Sequence, residues 1–317
     1  MKPRIGVLTS GGDCPGLNAV LRAVALASDK LGWEVIGFRD GFEGLLPPGN
    51  HFILDRQAVN GIMALGGTIL GTTNRGHFVA KIGAGDRTIV PANIIADAGR
   101  ILENLRVRVL IVVGGDGSLV TAQQLQEAGI NCIGVPKTID NDLEATATTF
   151  GFDSAVSVVV DALDRLHTTA TSHRRVIVVE VMGRHAGWIA LHGGIAGGAD
   201  LILIPEIPFD YGAIAAVINA RESANYLGTV VVVAEGARPK HGEQVKRDVE
   251  AGEFRLGGIG EIVAREIAKT DWKRDALLRA RSSPARRRTD DPRPDSRYAV
   301  RSQSCAIGER RALWING

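Results

Sequence analysis

The sequence predicts an α/β protein made of two doubly wound, Rossmann-like three-layer domains, and three observations carry that reading. Short, nearly continuous runs of Val, Ile and Leu alternate with helical patterns along most of the 317 residues. Glycine is frequent, at 39 residues, whereas aromatics make up only 5%, a balance suited to tight strand-to-helix turns. Two of the apolar runs also stop at the same tripeptide, Gly-Gly-Asp, once at Gly11, Gly12 and Asp13 and again at Gly114, Gly115 and Asp116.

Seven runs read as strands: residues 4–9, 34–39, 107–113, 131–135, 175–181, 201–205 and 229–234. Their β-branched residues are nearly uninterrupted, the pattern of strands covered on both faces in a parallel sheet. Helices are predicted over 18–31, 92–105, 155–171, 211–226 and 260–269. In the second of these, Ile94, Ile95, Ala98, Ile101, Leu102 and Leu105 share one face behind Pro91. Residues 240–258 are polar and glycine-bearing and read as a loop or a crossing between domains.

A chain this long has ample surface to bury two cores. No run reaches membrane-spanning length, and the first residues show no signal peptide. Cys14, Cys132 and Cys305 have neither metal spacing nor an even count, which points to a reducing cytoplasm, and the lack of a spanning run predicts no membrane partner. The net charge of +2 conceals an asymmetry. Residues 1–271 hold 25 Lys and Arg against 30 Asp and Glu, while residues 272–317 hold 12 against 5.

The chemistry concentrates in a few turns. A buried strand that ends at Gly114-Gly-Asp-Gly-Ser118 and opens a helix gathers backbone N–H groups around one point. Phosphate oxygens suit that point, and Asp116 can hold an accompanying divalent cation. A helix-capping aspartate is the plainer alternative. Gly11-Gly12-Asp13 alone is as easily a simple turn, and it lacks the lysine of a Walker loop. Thr138-Ile-Asp-Asn-Asp142 crowds carboxylate or amide side chains onto three consecutive residues, more than a cap requires, so one of them can serve as a base. Lys137 beside it reads as a cation for phosphate oxygens. Arg175 and Arg184 flank the fifth strand and would suit an anionic substrate. Glu235, at the end of the seventh strand, could accept hydrogen bonds from sugar hydroxyls.

Taken together, Thr9-Ser-Gly-Gly-Asp-Cys-Pro-Gly-Leu-Asn18, Gly114-Gly-Asp-Gly-Ser118, Pro136-Lys-Thr-Ile-Asp-Asn-Asp142 and Glu180-Val-Met-Gly-Arg184 resemble the signatures of the 6-phosphofructokinase family, in family order, over roughly residues 4–270. The resemblance implies ATP-dependent phosphorylation of the 1-hydroxyl of fructose 6-phosphate, with Mg²⁺, in glycolysis. It implies that Gly12, Gly115, Asp116, Gly117 and Ser118 cradle the donor phosphates and that Asp116 holds Mg²⁺. Thr138 would contact the transferring group, Asp140 would be the base, and Arg184 would stabilise the moving charge. Met182, Gly183 and Glu235 would hold the sugar. Arg175 would reach the 6-phosphate bound by a neighbouring subunit, hence a homodimer or homotetramer, with no nucleic-acid partner.

Donor choice rests on two positions. The pyrophosphate-using branch of the family typically carries aspartate where Gly117 stands, and a carboxylate there would crowd the α-phosphate of ATP. Lys137 resembles the pyrophosphate branch instead. An ATP-using subgroup combines both features with a His-x-x-Trp segment, as in His185-Ala-Gly-Trp188, so ATP is expected. The family's later Gly-His-x-Gln-Arg-Gly-Gly segment, which clamps the 6-phosphate, has no match in residues 271–317. The arginine-rich stretch there, Arg279 to Arg288 and beyond, shows neither strand nor helix periodicity. A basic tail for nucleic acid or an acidic partner is one reading. An out-of-frame translation after about residue 270 is the one favoured by the abrupt change in composition, and it makes a catalytically impaired binding subunit the rival function. The expected organisation is a nucleotide-binding α/β domain over 1–140, a fructose 6-phosphate-binding α/β domain over 141–255, and an atypical C-terminal segment over 256–317.

Overall fold

The structure, a computed structural model, describes residues 2–73, 76–78, 89–249, 253–269, 275–281 and 306–307. They group into two compact units, Met1–Thr138 with Leu143–Gly151, and Ile139–Asp142 with Phe152–Ser283.

The first unit runs β1 (Arg4–Thr9), α1 (Leu17–Lys30), β2 (Glu34–Phe38), β3 (His51–Ile53), α2 (Ala92–Asn104), β4 (Val107–Gly114), α3 (Asp116–Glu127), β5 (Cys132–Thr138) and β6 (Phe150–Gly151). Its sheet has the order β3-β2-β1-β4-β5-β6. Pairing is parallel except between β2 and β3. Leu8, Ile36, Phe38, Leu110 and Val112 face Ala98 and Leu102 of α2 and Ala122 and Leu125 of α3 in one buried cluster. Helix α1 buries Leu17, Val20, Leu21 and Ala25, the three-to-four spacing of a one-faced helix.

The second unit continues with α4 (Phe152–His173), β7 (Val176–Val181), α5 (Trp188–Ala196), β8 (Leu201–Leu203), α6 (Tyr211–Ser223), β9 (Thr229–Ala234), β10 (Lys246–Val249), β11 (Glu253–Leu256), α7 (Ile259–Lys269), β12 (Asp275–Arg281) and β13 (Ala306–Ile307). The main sheet has the order β13-β12-β7-β9-β8. Strand β7 shows why its sequence is so uniformly apolar. Ile177, Val179 and Val181 join Val159, Leu163 and Ile189 of α4 and α5, whereas Val176 and Val178 join Ile214, Ile218, Val263 and Ile267 of α6 and α7. Both faces are covered, so the strand cannot alternate with polar residues. The fold class is therefore the expected α/β arrangement of three-layer units.

Three features depart from the expectation. Helix α5 has no clear amphipathic pattern in sequence, because Gly193 and Gly194 sit at its centre; they let it lie closely on Val159 of α4 and Ile202 of β8. Within 240–258, expected as loop, β10 and β11 form an antiparallel hairpin in which Lys246 pairs with Leu256 and Val249 with Glu253. In the stretch after 270, expected to hold no regular element, β12 pairs in parallel with β7 from Asp275 opposite Val176 to Arg279 opposite Glu180. Residues 282–305 and 308–317, with most of the arginine-rich stretch and Cys305, lie outside the described residues.

Candidate active site

In the first unit, β1, β4 and β5 are adjacent and parallel, so their carboxyl ends share one sheet edge. Ligands of open α/β sheets sit at that edge. Gly11, Gly12 and Asp13 follow β1, Gly115 to Ser118 follow β4, and Lys137 and Thr138 close β5. The first two turns are tied through Ser10, whose N–H donates to the Val113 carbonyl at 2.9 Å.

Each turn has a local reason for its composition. A side-chain carbon on Gly114 would stand 2.3 Å from Cβ and 2.7 Å from Oγ of Ser118, so only glycine lets α3 start there with Ser118 buried beneath it. Asp116 lies exposed in the first turn of α3, where the helix leaves backbone N–H groups without intrahelical partners. At Gly12, nothing lies within 4 Å of where a side chain would project, which leaves the turn open.

Lys137 is only 4% exposed, and its Nζ donates to the Gly12 carbonyl. Burial holds its pKa below the ordinary lysine range, opposed by the nearby Cys14 and Asp13. One of its three donors thus braces the first Gly-Gly-Asp turn. Cys14 behaves as a buried hydrophobe: burial pushes its thiol up to about 12, and Sγ donates to the Phe150 and Pro15 carbonyls.

The sequence reading overlooked a second glycine- and threonine-rich stretch, residues 66–73. Here the Thr72 hydroxyl donates to the Gly11 carbonyl at 2.6 Å, the Thr9 hydroxyl to the Gly71 carbonyl at 2.8 Å, and the Gly11 N–H to the Thr73 carbonyl at 3.3 Å. Its composition, Gly66-Gly-Thr-Ile-Leu-Gly-Thr-Thr73, was the available signal.

Directly after β5 comes Asp140. Burial raises its pKa from 3.8 to about 6, and the charge of Asp142 adds to the shift. The carboxyl is therefore mostly ionised at neutral pH but readily protonated, the property of a general base.

In the second unit, β7 and β9 are parallel neighbours, and Met182, Gly183, Arg184 and Glu235 all follow their carboxyl ends. The Glu235 N–H donates to the Val181 carbonyl and the Gly236 N–H to the Gly183 carbonyl, both at 2.9 Å, which keeps the two chain ends together. Gly183 has φ +143, and a side-chain carbon there would lie 2.8 Å from the Ala186 carbonyl oxygen. Gln244 Nε2 donates to the carbonyls of Gly236 and Arg184, at 3.0 and 3.3 Å. Arg184 itself is exposed. Glu180, buried in β7, accepts the N–H groups of Gly258 and Gly260 at 2.8 to 2.9 Å and so caps the start of α7. Gln244 was not singled out from sequence, and Glu180 stood in a quoted signature without a role, because each acts on backbone that is distant along the chain.

Arg175 stands apart from this cluster. It precedes β7, at the amino end of the strand, about 20 Å of extended chain from Met182. Within one chain the two ends of β7 do not meet.

Sheets whose carboxyl edges carry glycine turns, an exposed helix-initial aspartate and a titratable buried carboxyl define a phosphotransferase-like class of α/β protein. The family comparison narrows this: residues 4–280 match the family model described as Phosphofructokinase, so the chain belongs to the phosphofructokinase family. That match continues ten residues past Thr270 and takes in most of β12. An "ATP-dependent 6-phosphofructokinase" of Chloroflexus aggregans is 52% identical over 272 residues, covering 86% of this chain and 74% of that relative. A "Pyrophosphate--fructose 6-phosphate 1-phosphotransferase" of Streptomyces coelicolor is 49% identical over 274 residues, covering 84% and 75%. Among solved structures, Pichia pastoris phosphofructokinase in the T-state matches with a TM-score of 0.73 and 31% identity over 88% of this chain. The chain spans only 29% of that Pichia protein's length.

Proposed function

We propose that this chain is an ATP-dependent 6-phosphofructokinase, which transfers the γ-phosphoryl group of ATP to the 1-hydroxyl of D-fructose 6-phosphate and releases fructose 1,6-bisphosphate and ADP. The observation that carries the reading is Asp140: a largely buried carboxyl raised to about 6, directly after β5, whose neighbour β4 ends in one Gly-Gly-Asp turn and stands beside β1, which leads into the other. Phosphoryl transfer asks mainly for positioning and charge neutralisation, with one group to accept the hydroxyl proton.

In this scheme the backbone N–H groups of Gly12 and of Gly115, Asp116, Gly117 and Ser118 bind the donor phosphates, and Lys137 holds the first turn in shape while lending positive charge. Thr138 contacts the transferring group. Asp140 takes the proton of the 1-hydroxyl, and Arg184 stabilises charge on the departing phosphoryl group. Met182, Gly183 and Glu235 orient the sugar. Arg175, displaced to the far end of β7, serves the 6-phosphate bound by a second copy, in a homodimer or homotetramer. The donor site falls to the 1–140 domain and the sugar site to the 141–255 domain. Asp116, exposed in the first turn of α3, would hold the Mg²⁺ that accompanies ATP. When bound, such an ion would supply charge neutralisation to the phosphates. No helix among the described residues is long and apolar enough to cross a membrane, and the proposed setting is the cytoplasm.

Pyrophosphate as donor is the second reading, favoured by Lys137 and by the Streptomyces relative. Coupled assays of the purified chain with ATP and with pyrophosphate separate the two. Turnover with ATP alone is expected; strict use of pyrophosphate overturns the steric argument from Gly117, and no turnover with either donor overturns the enzymatic reading.

A further inference from the structure

The segment that carries Asp140 is an unusual connection. Strands β5 and β6 pair in parallel, Lys137 opposite Phe150 and Thr138 opposite Gly151. Parallel neighbours are ordinarily joined by a crossover helix. Here the connection is the polar stretch Ile139 to Thr149, with no helix in it, and Asn141 and Ala145 both adopt left-handed backbone, φ 53 and 60. Its first four residues group with the second unit, while Leu143–Gly151 groups with the first.

Such a loop holds one conformation only if its ends are fastened. The fastening is specific. Thr149 is 2% exposed, and its hydroxyl donates to the Thr138 carbonyl at 2.8 Å across eleven residues of chain. The next residue is held too, since Cys14 Sγ donates to the Phe150 carbonyl and the Phe150 side chain lies 3.8 Å from where a side chain on Gly16 would begin. The Thr149 bond closes the ring of backbone that contains Asp140, at the point where the loop leaves the sheet.

We propose that Thr149 is a positioning residue for Asp140: its buried hydroxyl latches the 139–149 loop to the end of β5 and so sets where the carboxylate stands. The catalytic part of this inference rests on the phosphofructokinase reading. The latch itself does not.

Thr149→Val keeps the shape and removes the donor, and Thr149→Ser keeps the donor and removes the methyl group. Both are made in the full chain, and backbone hydrogen exchange is followed by mass spectrometry with kinetics alongside. Exchange of peptides within 139–148 should quicken at least tenfold in Thr149→Val and return to the parent rate in Thr149→Ser, with peptides of β4 and α3 unchanged. In the enzyme, kcat should fall at least tenfold in Thr149→Val with the KM for ATP held within about twofold, and recover in Thr149→Ser. Unchanged exchange in Thr149→Val overturns the latch, as does equal acceleration in Thr149→Ser or a general acceleration across β4 and α3. Parent-like kcat in a Thr149→Val variant with a loosened loop overturns the positioning role. A parent chain without turnover counts against the phosphofructokinase reading, while the exchange data still decide the latch.

Discussion

Replacing Asp140 with asparagine should make the protein more stable and, in the same step, inactive. The carboxyl titrates at about 6 in the folded chain against 3.8 as the ordinary value, because burial and Asp142 both disfavour its charge. At about 1.4 kcal/mol for each tenfold change in proton affinity, the ionised form costs the folded state about 3 kcal/mol. The sign follows from the native state binding the proton more tightly than the unfolded one. The cost is absent below pH 3.8, grows as pH rises through the interval up to about 6, and is complete above it. Asparagine fills the same space without the charge, so Asp140→Asn should gain most at pH 8 and only about 1 kcal/mol at pH 4.5. Thermal or urea unfolding of parent and variant at the two pH values reads the difference, and an assay for fructose 1,6-bisphosphate at pH 8 should show at least a hundredfold loss of kcat. An unfolding midpoint unchanged at both pH values refutes the burial argument. Activity within tenfold of the parent refutes the role as base.

The remaining predictions concern the supporting shell. In the parent, kcat with ATP should fall as pH drops below about 6, following protonation of Asp140, and a flat profile between pH 5 and 8 would contradict that assignment. Lys137→Met should cost roughly 1–3 kcal/mol by leaving the Gly12 carbonyl without its donor and should raise the KM for the phosphoryl donor; calorimetry and kinetics would show both. Gly114→Ala should destabilise by about 1–3 kcal/mol, because the added carbon stands 2.3 Å from Ser118 Cβ, and denaturant midpoints would report it. Thiols held up at about 12 and about 11 should leave Cys14 and Cys132 at least tenfold slower to alkylate at pH 7.5 in the native chain than in urea, as peptide mass spectrometry would register.

Much of this protein is written locally. The seven apolar runs mark strands because a strand covered on both faces has no room for polar alternation, and β7 shows both of its faces covered. The glycine turns were legible for a similar reason: a strand that stops at Gly-Gly-Asp and opens a helix has little choice of conformation, and its chemistry sits on adjacent residues. Tertiary structure alone decided what depends on distant partners. It paired 246–249 with 253–256, set β12 beside β7, and set α5 against α4 through glycines that obscure a helical pattern. It also joined residues 71–73 to the first turn and spent one donor of Lys137 on Gly12. The raised pKa of Asp140 belongs to that second group. The sequence shows three crowded polar residues, but the desolvation that makes one of them titrate near 6 exists only once the chain around it is packed.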